Sequence, residues 1–269
     1  MTMQIESDWW KHIFDDIYLL TDSRSICDDS LTRQEVDFIE TAMNLNKSTP
    51  VLDLCGGQGR HAMELSRRGF SNITVLDYSD YLIQLGKKQA MQQNLDTSFF
   101  QGDARDTNFT EKSFGAVIIM GGSFGYFIQD KENAKILKES FRLLMPKGIL
   151  LLDLPDKTYV LDNFRQVTSH QSGDTVVVKR TRELNDDVIY CRERVTCTKK
   201  GCLRENNYCV KLYTPEQISD LLRLIGFSDI SFQEDFMDRQ KQGDYGTMTR
   251  RMVVKAYKRE PGLFQSLYS

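Results

Sequence analysis

The sequence lacks several features that define whole classes of protein. No apolar run reaches the length of a membrane span, and the N-terminus has no signal-peptide pattern. The net charge is −3 over 269 residues, so there is no basic excess of the kind that binds polyanions in general. These absences predict a globular protein outside the membrane, with nucleic acid an unlikely partner. They leave the oligomeric state open.

Cysteine is present but poorly placed for a disulfide framework or a metal site. The six cysteines have irregular spacing, which suits a reducing cytoplasm. Four of them lie close together, at Cys191, Cys197, Cys202 and Cys209, but no two form a Cys-x-x-Cys pair. We therefore expect small apolar side chains here, no bound metal and a cytoplasmic protein.

Residues 51–77 carry the strongest pattern in the chain. A short apolar strand runs into the turn Cys55-Gly56-Gly57-Gln58-Gly59, a helix starts near Arg60, and a second apolar strand ends on Asp77. Strand, glycine turn, helix, strand and acid make up a nucleotide-binding βαβ unit. The glycines let a ligand approach the backbone, and the acid is placed to accept both hydroxyls of a ribose.

Two cofactors compete for this unit. Gly57, Gly59 and Ala62 match the dinucleotide fingerprint Gly-x-Gly-x-x-Ala. Asp53, however, lies inside the first strand, where a carboxylate would repel a pyrophosphate and attract the ammonium group of a methionine moiety. Apolar residues around this aspartate, followed by Gly-x-Gly, closely resemble the first motif of class I S-adenosylmethionine (SAM)-dependent methyltransferases. The chain departs from that motif at Cys55, where the family usually has a glycine.

The resemblance covers nearly the whole chain and implies a fold and a cofactor. The implied fold is a Rossmann-like three-layer α/β sandwich around a seven-stranded, mostly parallel sheet. The implied cofactor is SAM, and the implied partner is a small-molecule or peptide methyl acceptor. Asp103, after the third strand, is similar to the family position that contacts the adenine amino group. The expected cofactor-binding residues are Asp53, Cys55, Gly57, Gly59, Asp77, Tyr78, Asp103, Ala104, Met120 and Gly121.

The rest of the chain is predicted to cover this core. Apolar residues from Trp10 to Tyr18 follow helical spacing and predict one face of a helix, with plain packing on the sheet as the alternative to a lid. After the fifth strand, three strands predict an antiparallel β-meander, interpreted as an acceptor cover. The expected division is an N-terminal helical lid (1–45), a SAM-binding core (46–154), the meander (155–212), a return to the core with a closing hairpin (213–260) and a tail (261–269).

The acceptor side of the site is less defined. Glu193 stands in an apolar stripe of the meander, so it either pairs with Arg180 or Arg182 or faces the acceptor. Arg33 is a candidate partner for the methionine carboxylate. The weak candidates for a catalytic group are Tyr18, Tyr126, His170 and Glu193. The candidates for acceptor contacts are Trp10, Phe14, Tyr18, Tyr126 and Arg192.

No residue is a clear general base, and this bears on the atom that is methylated. An amine needs only to arrive neutral, whereas a hydroxyl benefits from a base. The loop after the fourth strand lacks the Asn-Pro-Pro-Tyr motif that the family often has for planar bases or amide nitrogens, which disfavours a DNA or RNA base as the acceptor. We therefore favour N-methylation of a small molecule or peptide. An O- or C-methyltransferase of a secondary metabolite and a SAM-binding regulatory protein without turnover are the alternatives.

Overall fold

The computed structural model describes residues 3–233, 236 and 245–259. These residues form one sheet of seven strands and a second sheet of four. In chain order the strands are β1 (Val51–Leu54), β2 (Ile73–Asp77), β3 (Thr97–Gln101), β4 (Phe114–Ile119), β5 (Leu144–Pro155), β6 (Val167–Ser172), β7 (Val176–Asn185), β8 (Val188–Cys197), β9 (Gly201–Lys211), β10 (Phe227–Gln233) and β11 (Arg251–Lys258).

The seven-stranded sheet confirms the predicted fold. Its strand order is β10-β11-β5-β4-β1-β2-β3. The neighbours from β5 to β3 pair in parallel, and β11 pairs antiparallel with both β5 and β10. Strands β1 and β4 are almost wholly apolar because both of their faces are buried. The carboxyl ends of the parallel strands therefore meet along one edge, where ligands bind in open α/β sheets.

Helices cover both faces of this sheet. They are α1 (Asp16–Thr21), α2 (Ser23–Ile26), α3 (Asp29–Met43), α4 (Arg60–Arg67), α5 (Asp80–Gln92), α6 (Asp130–Leu143), α7 (Lys157–Asp162) and α8 (Pro215–Ile225). One apolar core includes Ile39 of α3 and Leu65 of α4, and the other includes Leu137 of α6 and Leu222 of α8. Sheet and helices thus form three layers. None of the described helices is long and apolar enough to cross a membrane.

The prediction of one continuous helical face from Trp10 to Tyr18 is wrong. The chain instead forms a 3-10 turn at Trp9–Lys11, and α1 begins only at Asp16. The cause is Asp15, which has an extended backbone and accepts a hydrogen bond from the backbone N–H of Tyr18 at 3.0 Å. An N-cap of this kind starts a new helix, so the two turns present their side chains separately.

The inserted sheet has four strands where three were predicted. The additional strand, β6, pairs antiparallel with β7 through its backbone. Its sequence, Val-Thr-Ser-His-Gln-Ser, has no apolar alternation from which a strand could be predicted. The predicted alternation of β8 is confirmed, since Ile189, Cys191 and Glu193 are buried and Arg192 and Arg194 are exposed.

The closing part of the chain follows its local signals. Thr214 and Gln217 form a capping box at the start of α8, and Gly226 ends that helix in the left-handed conformation. The closing hairpin consists of β10 and β11, which pair antiparallel. The predicted tail at 261–269, and residues 234–235 of the predicted hairpin, lie outside the described residues.

Candidate active site

A first cleft opens at the carboxyl ends of β1 to β4. The turn after β1 is tight, and Gly59 has a φ of +76°. A Cβ at Gly59 would meet the Phe99 ring at 2.6 Å, so no larger residue fits there. Cys55 has a φ of +60°, a left-handed conformation that is costly for a residue other than glycine. The predicted cofactor residues Asp53, Cys55, Gly57, Asp77, Tyr78, Asp103, Ala104, Met120 and Gly121 all line this cleft. Gly59, also predicted, is the N-cap residue of α4.

Asp53 places a buried carboxyl group at the first cleft. Its side chain lies under the glycine turn, where a Cβ on Gly56 would meet a carboxylate oxygen at 2.8 Å. Neither carboxylate oxygen has a hydrogen-bond partner of ordinary geometry among the described residues. Burial raises the pKa of Asp53 to about 7, against the opposing charge of Arg60. A cationic donor in the cleft would satisfy this carboxylate.

Asp77 connects the glycine turn to the end of β2. Its carboxylate accepts hydrogen bonds from the backbone N–H of Gly57 at 2.8 Å and of Ser79 at 2.9 Å. Burial raises the pKa of Asp77, although these N–H groups oppose the shift. Each oxygen retains acceptor capacity, so the carboxylate can still receive hydroxyl groups from the cleft.

At the outer end of the first cleft, Asp103 is engaged by Arg105. The arginine donates from Nη2 to Asp103 at 2.7 Å and from Nη1 to Glu132 at 2.8 Å. Burial alone would raise the pKa of Asp103, but Arg105 outweighs it and the pKa is lowered. The guanidinium lies 5.0 Å from the Trp10 ring, which packs edge-on against Tyr78. Trp10, predicted as an acceptor contact, therefore lines the first cleft on its Asp103 side.

A network of buried ion pairs supports the first cleft. Glu35 of α3 pairs with Arg60 at 2.5 Å, with Arg251 of β11, and with His61 at 2.9 Å. Burial alone would raise the pKa of Glu35, but these partners hold it well below its usual range. Burial, aided by Arg60, lowers the pKa of His61 to about 4, so this imidazole is neutral at pH 7.

The same network fixes the loop after β4. Arg251 donates to Asp153 of β5 at 2.7 Å, and that carboxylate also accepts from the backbone N–H of Gly121 at 2.8 Å. Arg251, Asp153 and Glu35 have fully buried side chains. Because Gly121 and Arg60 both line the first cleft, the network sets the position of two of its walls.

A second cleft adjoins the first. It lies between the N-terminal segment, the loop after β4, the buried face of the inserted sheet and residues 245–248. Its charged side chains include Arg180, Arg182, Glu193 and Arg204. Six described residues line both clefts and define what we call the junction: Phe14, Tyr18, Ile26, Arg60, Gly121 and Tyr126.

Three aromatic rings pack against one another at the junction. Phe14 stacks on Tyr126 with ring centroids 5.7 Å apart and meets Tyr18 edge-on at 5.0 Å. The backbone carbonyl of Phe14 accepts a hydrogen bond from the Ser79 hydroxyl at 2.6 Å, which ties the N-terminal segment to the end of β2. Burial raises the pKa of Tyr126 well above its usual range, so its hydroxyl stays protonated.

The structure separates the remaining sequence candidates. Glu193 lines the second cleft and also pairs with Arg180 at 2.8 Å. Arg192, predicted as an acceptor contact, lies on the exposed face of β8 with its side chain 55% exposed, and it lines neither cleft. Arg33 is exposed on α3 and lines neither cleft. His170 lies on β6, where its Nε2 is 3.0 Å from the carbonyl of Thr21, and it lines neither cleft.

Several residues of the two clefts escaped sequence reasoning. Arg105 could have been found, since it follows Asp103 by two residues and an arginine so close to an acid can pair with it. Arg60 could have been found as the first residue of the helix after the glycine turn. Residues 245–248 gave no signal, because only the fold brings them to the second cleft.

Known proteins resemble this chain in sequence and in fold. A family model described as "Methyltransferase domain" matches residues 51–148. The chain is 26% identical over 212 residues to a glycine/sarcosine N-methyltransferase of Aphanothece halophytica, covering 78% of each protein. It is 33% identical over 143 residues to a ubiquinone/menaquinone biosynthesis C-methyltransferase of Nitrobacter hamburgensis, covering 47% of this chain and 54% of that protein.

Solved structures match over most of the chain. A SAM-dependent methyltransferase from Clostridium acetobutylicum superposes with a TM-score of 0.72 at 16% identity, covering 91% of this chain and 97% of the other. The SAM-bound amino pentose methyltransferase CalS10 from Micromonospora echinaspora superposes with a TM-score of 0.67 at 17% identity, covering 90% and 97%. The fold is thus the Rossmann-like methyltransferase fold.

Residues 51–148 match a methyltransferase domain, and the chain resembles the class I SAM-dependent methyltransferases. It is an enzyme of the small-molecule type, and its cofactor is SAM. The residues of the first cleft suit this cofactor independently of the comparisons. Asp53 offers a buried carboxylate to a cation, and Asp77 offers acceptors beside a glycine turn that admits close approach.

Proposed function

We propose that this enzyme methylates an amine nitrogen of a small molecule, with SAM in the first cleft and the acceptor in the second. The junction carries this proposal. Its ionisable side chains are Tyr18, Arg60 and Tyr126, with no carboxylate or imidazole among the described residues that line both clefts. Arg60 is a cation, and Tyr126 stays protonated. Such a junction suits a nucleophile that arrives neutral better than one that must lose a proton there.

The residues of the first cleft have distinct roles in this proposal. SAM, when bound, supplies a methyl group on a sulfonium sulfur. Asp77 accepts the ribose hydroxyls, Asp53 accepts the ammonium group, and Asp103 faces the adenine. The junction residues, Gly121 among them, line both clefts and would therefore border the methyl donor on one side and the acceptor on the other.

Positioning is then the main contribution of the protein. Well-oriented reactants can gain about 7–11 kcal/mol over free solution. Phe14 and Tyr126 narrow the junction by their stacking, and Tyr126 can donate a hydrogen bond from its protonated hydroxyl. The resemblance to a glycine/sarcosine N-methyltransferase supports an amine acceptor. The resemblance to a C-methyltransferase over about half of the chain keeps C-methylation as the second candidate.

The remaining features of the proposal come from the sequence. A cytoplasmic location follows from the irregular cysteine spacing, and all six cysteines are free thiols. The described residues contain no group of three or more potential metal ligands. A peptide acceptor stays an alternative to a small molecule.

A turnover assay tests the proposal. The enzyme is incubated with SAM and pools of small amines, phenols and activated carbon acids, and S-adenosylhomocysteine is measured. We expect turnover with the amine pool, with the methyl group on nitrogen by mass spectrometry. Turnover with phenols alone would favour O-methylation, and turnover with carbon acids alone would favour C-methylation.

The affinity for SAM should depend on pH through Asp53. In the free protein this carboxyl takes up a proton as the pH falls through about 7, whereas an unfolded one does so near about 3.9. The raised pKa therefore stabilises the fold at low pH, and that contribution is lost as the pH rises through about 7. An ammonium group prefers the charged carboxylate, so SAM affinity should fall by up to about tenfold per pH unit below 7.

Calorimetric titration between pH 7 and pH 5.5 measures this effect. The Asp53→Asn variant should bind SAM more weakly at pH 7 and lose most of the pH dependence. A wild-type affinity that stays constant over this range would rule out contact between Asp53 and the ammonium group.

A further inference from the structure

The inserted sheet directs three arginines into the second cleft. Arg180 and Arg182 lie on β7 and Arg204 on β9, and the side chains of Arg180 and Arg204 are only 7% and 10% exposed. Arg182 is 6% exposed as a whole residue. Burying a guanidinium is costly unless a counter-ion and hydrogen bonds compensate it.

Carboxylates of the chain compensate the charges of two of these three arginines. Arg180 pairs with Glu193 at 2.8 Å and with Asp22 at 3.0 Å. Arg204 pairs with Asp15 at 2.5 Å and with Glu193 at 3.1 Å. These arginines are therefore structural, because they connect the N-terminal segment to the inserted sheet.

Arg182 differs from both. In the described part of the chain its side chain makes one hydrogen bond, from Nη1 to the Thr168 hydroxyl at 2.8 Å, and no carboxylate lies within ion-pair distance. A guanidinium has five N–H donors, so the described residues leave most of its donor capacity unused. Nη2 lies beside Gly246, where a Cβ would approach it to 3.0 Å, so a side chain at this position would crowd the guanidinium.

We propose that Arg182 binds a carboxylate of the methyl acceptor, so that the acceptor is an amine that also bears an acidic group. This inference rests on the proposed N-methylation and specifies its substrate class. The guanidinium fork matches a carboxylate through two parallel hydrogen bonds. Because Arg60, Arg180 and Arg204 are already paired with carboxylates, Arg182 is the one arginine without such a partner among the described residues that line the second cleft, and this suits a single negative charge better than a phosphate dianion.

The test compares three probe sets on the full-length enzyme. They are amino acids with primary and secondary amines, the matching neutral carboxamides, and phosphorylated amines such as phosphoethanolamine. We expect kcat/KM for the carboxylates to exceed that for the carboxamides by at least about tenfold. The Arg182→Gln variant should lose this preference, mainly through a higher KM for the carboxylates, while its SAM affinity stays unchanged.

Two further variants control for folding. Arg194→Gln removes an arginine from the exposed face of β8, where the side chain is 60% exposed, and should leave the preference intact. Arg182→Lys keeps the charge without the fork and should retain an intermediate preference, even if Arg182→Gln unfolds. Thermal unfolding of each variant is measured alongside.

The outcomes separate the two proposals. Equal use of carboxylates and carboxamides, or a preference for phosphorylated amines, would overturn the role of Arg182 and leave N-methylation standing. A preference for carboxylates that survives in Arg182→Gln would also overturn it. Absence of turnover with every amine would overturn the proposed function itself.

Discussion

Replacing Arg251 by methionine is expected to lower the free energy of unfolding by about 3–5 kcal/mol. Arg251 has no exposed side-chain surface, and it pairs with two carboxylates, Glu35 and Asp153, that are equally buried. Without the guanidinium both acids would be left in the core with fewer partners, and Gly121 would lose the support of the ion pair behind Asp153. Removing one partner of a buried pair costs far more than the pair itself contributes.

Urea denaturation of the wild type and the variant measures this change. Arg223→Met is the matched control, because Arg223 pairs with Asp220 on the surface and its side chain is 64% exposed. Surface pairs contribute about 0–1 kcal/mol, so the control should unfold close to the wild type. If both variants lost the same small amount, the buried network would not stabilise the fold as described.

The Asp77→Ala variant is expected to bind SAM about 10- to 150-fold more weakly. The lost hydrogen bonds involve a charged acceptor and contribute about 1.5–3 kcal/mol together. Asp77 also accepts from the N–H groups of Gly57 and Ser79, so its removal loosens the turn that the cofactor must approach. Both effects lower the affinity for SAM.

Calorimetry with SAM measures the loss, and Asp80→Ala provides the control. Asp80 is an exposed acid three residues further along the chain, and its carboxylate accepts a hydrogen bond from the Gln84 side chain. Its removal should leave SAM affinity within about twofold, since it does not line the first cleft. Unchanged affinity in Asp77→Ala would exclude this carboxylate as the ribose acceptor.

The first cleft could be predicted because its signals are local. Asp53, the glycine turn and Asp77 lie within one βαβ unit. The types and the spacing of these few residues therefore predict the ligand-binding ends of β1 and β2. The same holds for α8, where Thr214 and Gly226 carry their own capping signals. Local sequence signals of this kind do not depend on which other parts of the chain pack against the element.

The second cleft could not be predicted, because tertiary contacts build it. The alternation along β8 divided Arg192 from Glu193 correctly, but it could not decide which face would turn inward. That choice depends on the N-terminal segment, whose Asp15 and Asp22 pair with Arg204 and Arg180. Similarly, no pattern in the sequence connects Glu35 with Arg251, which meet only in the folded core.

A crystal structure with S-adenosylhomocysteine bound is the most direct test of the account. We predict the ribose hydroxyls on Asp77, the amino group of the homocysteine moiety at Asp53, and the sulfur directed at the junction of Phe14, Gly121 and Tyr126. A ligand whose homocysteine end lay beside Asp103 and Trp10, or whose sulfur faced away from the second cleft, would contradict the assignment of both clefts.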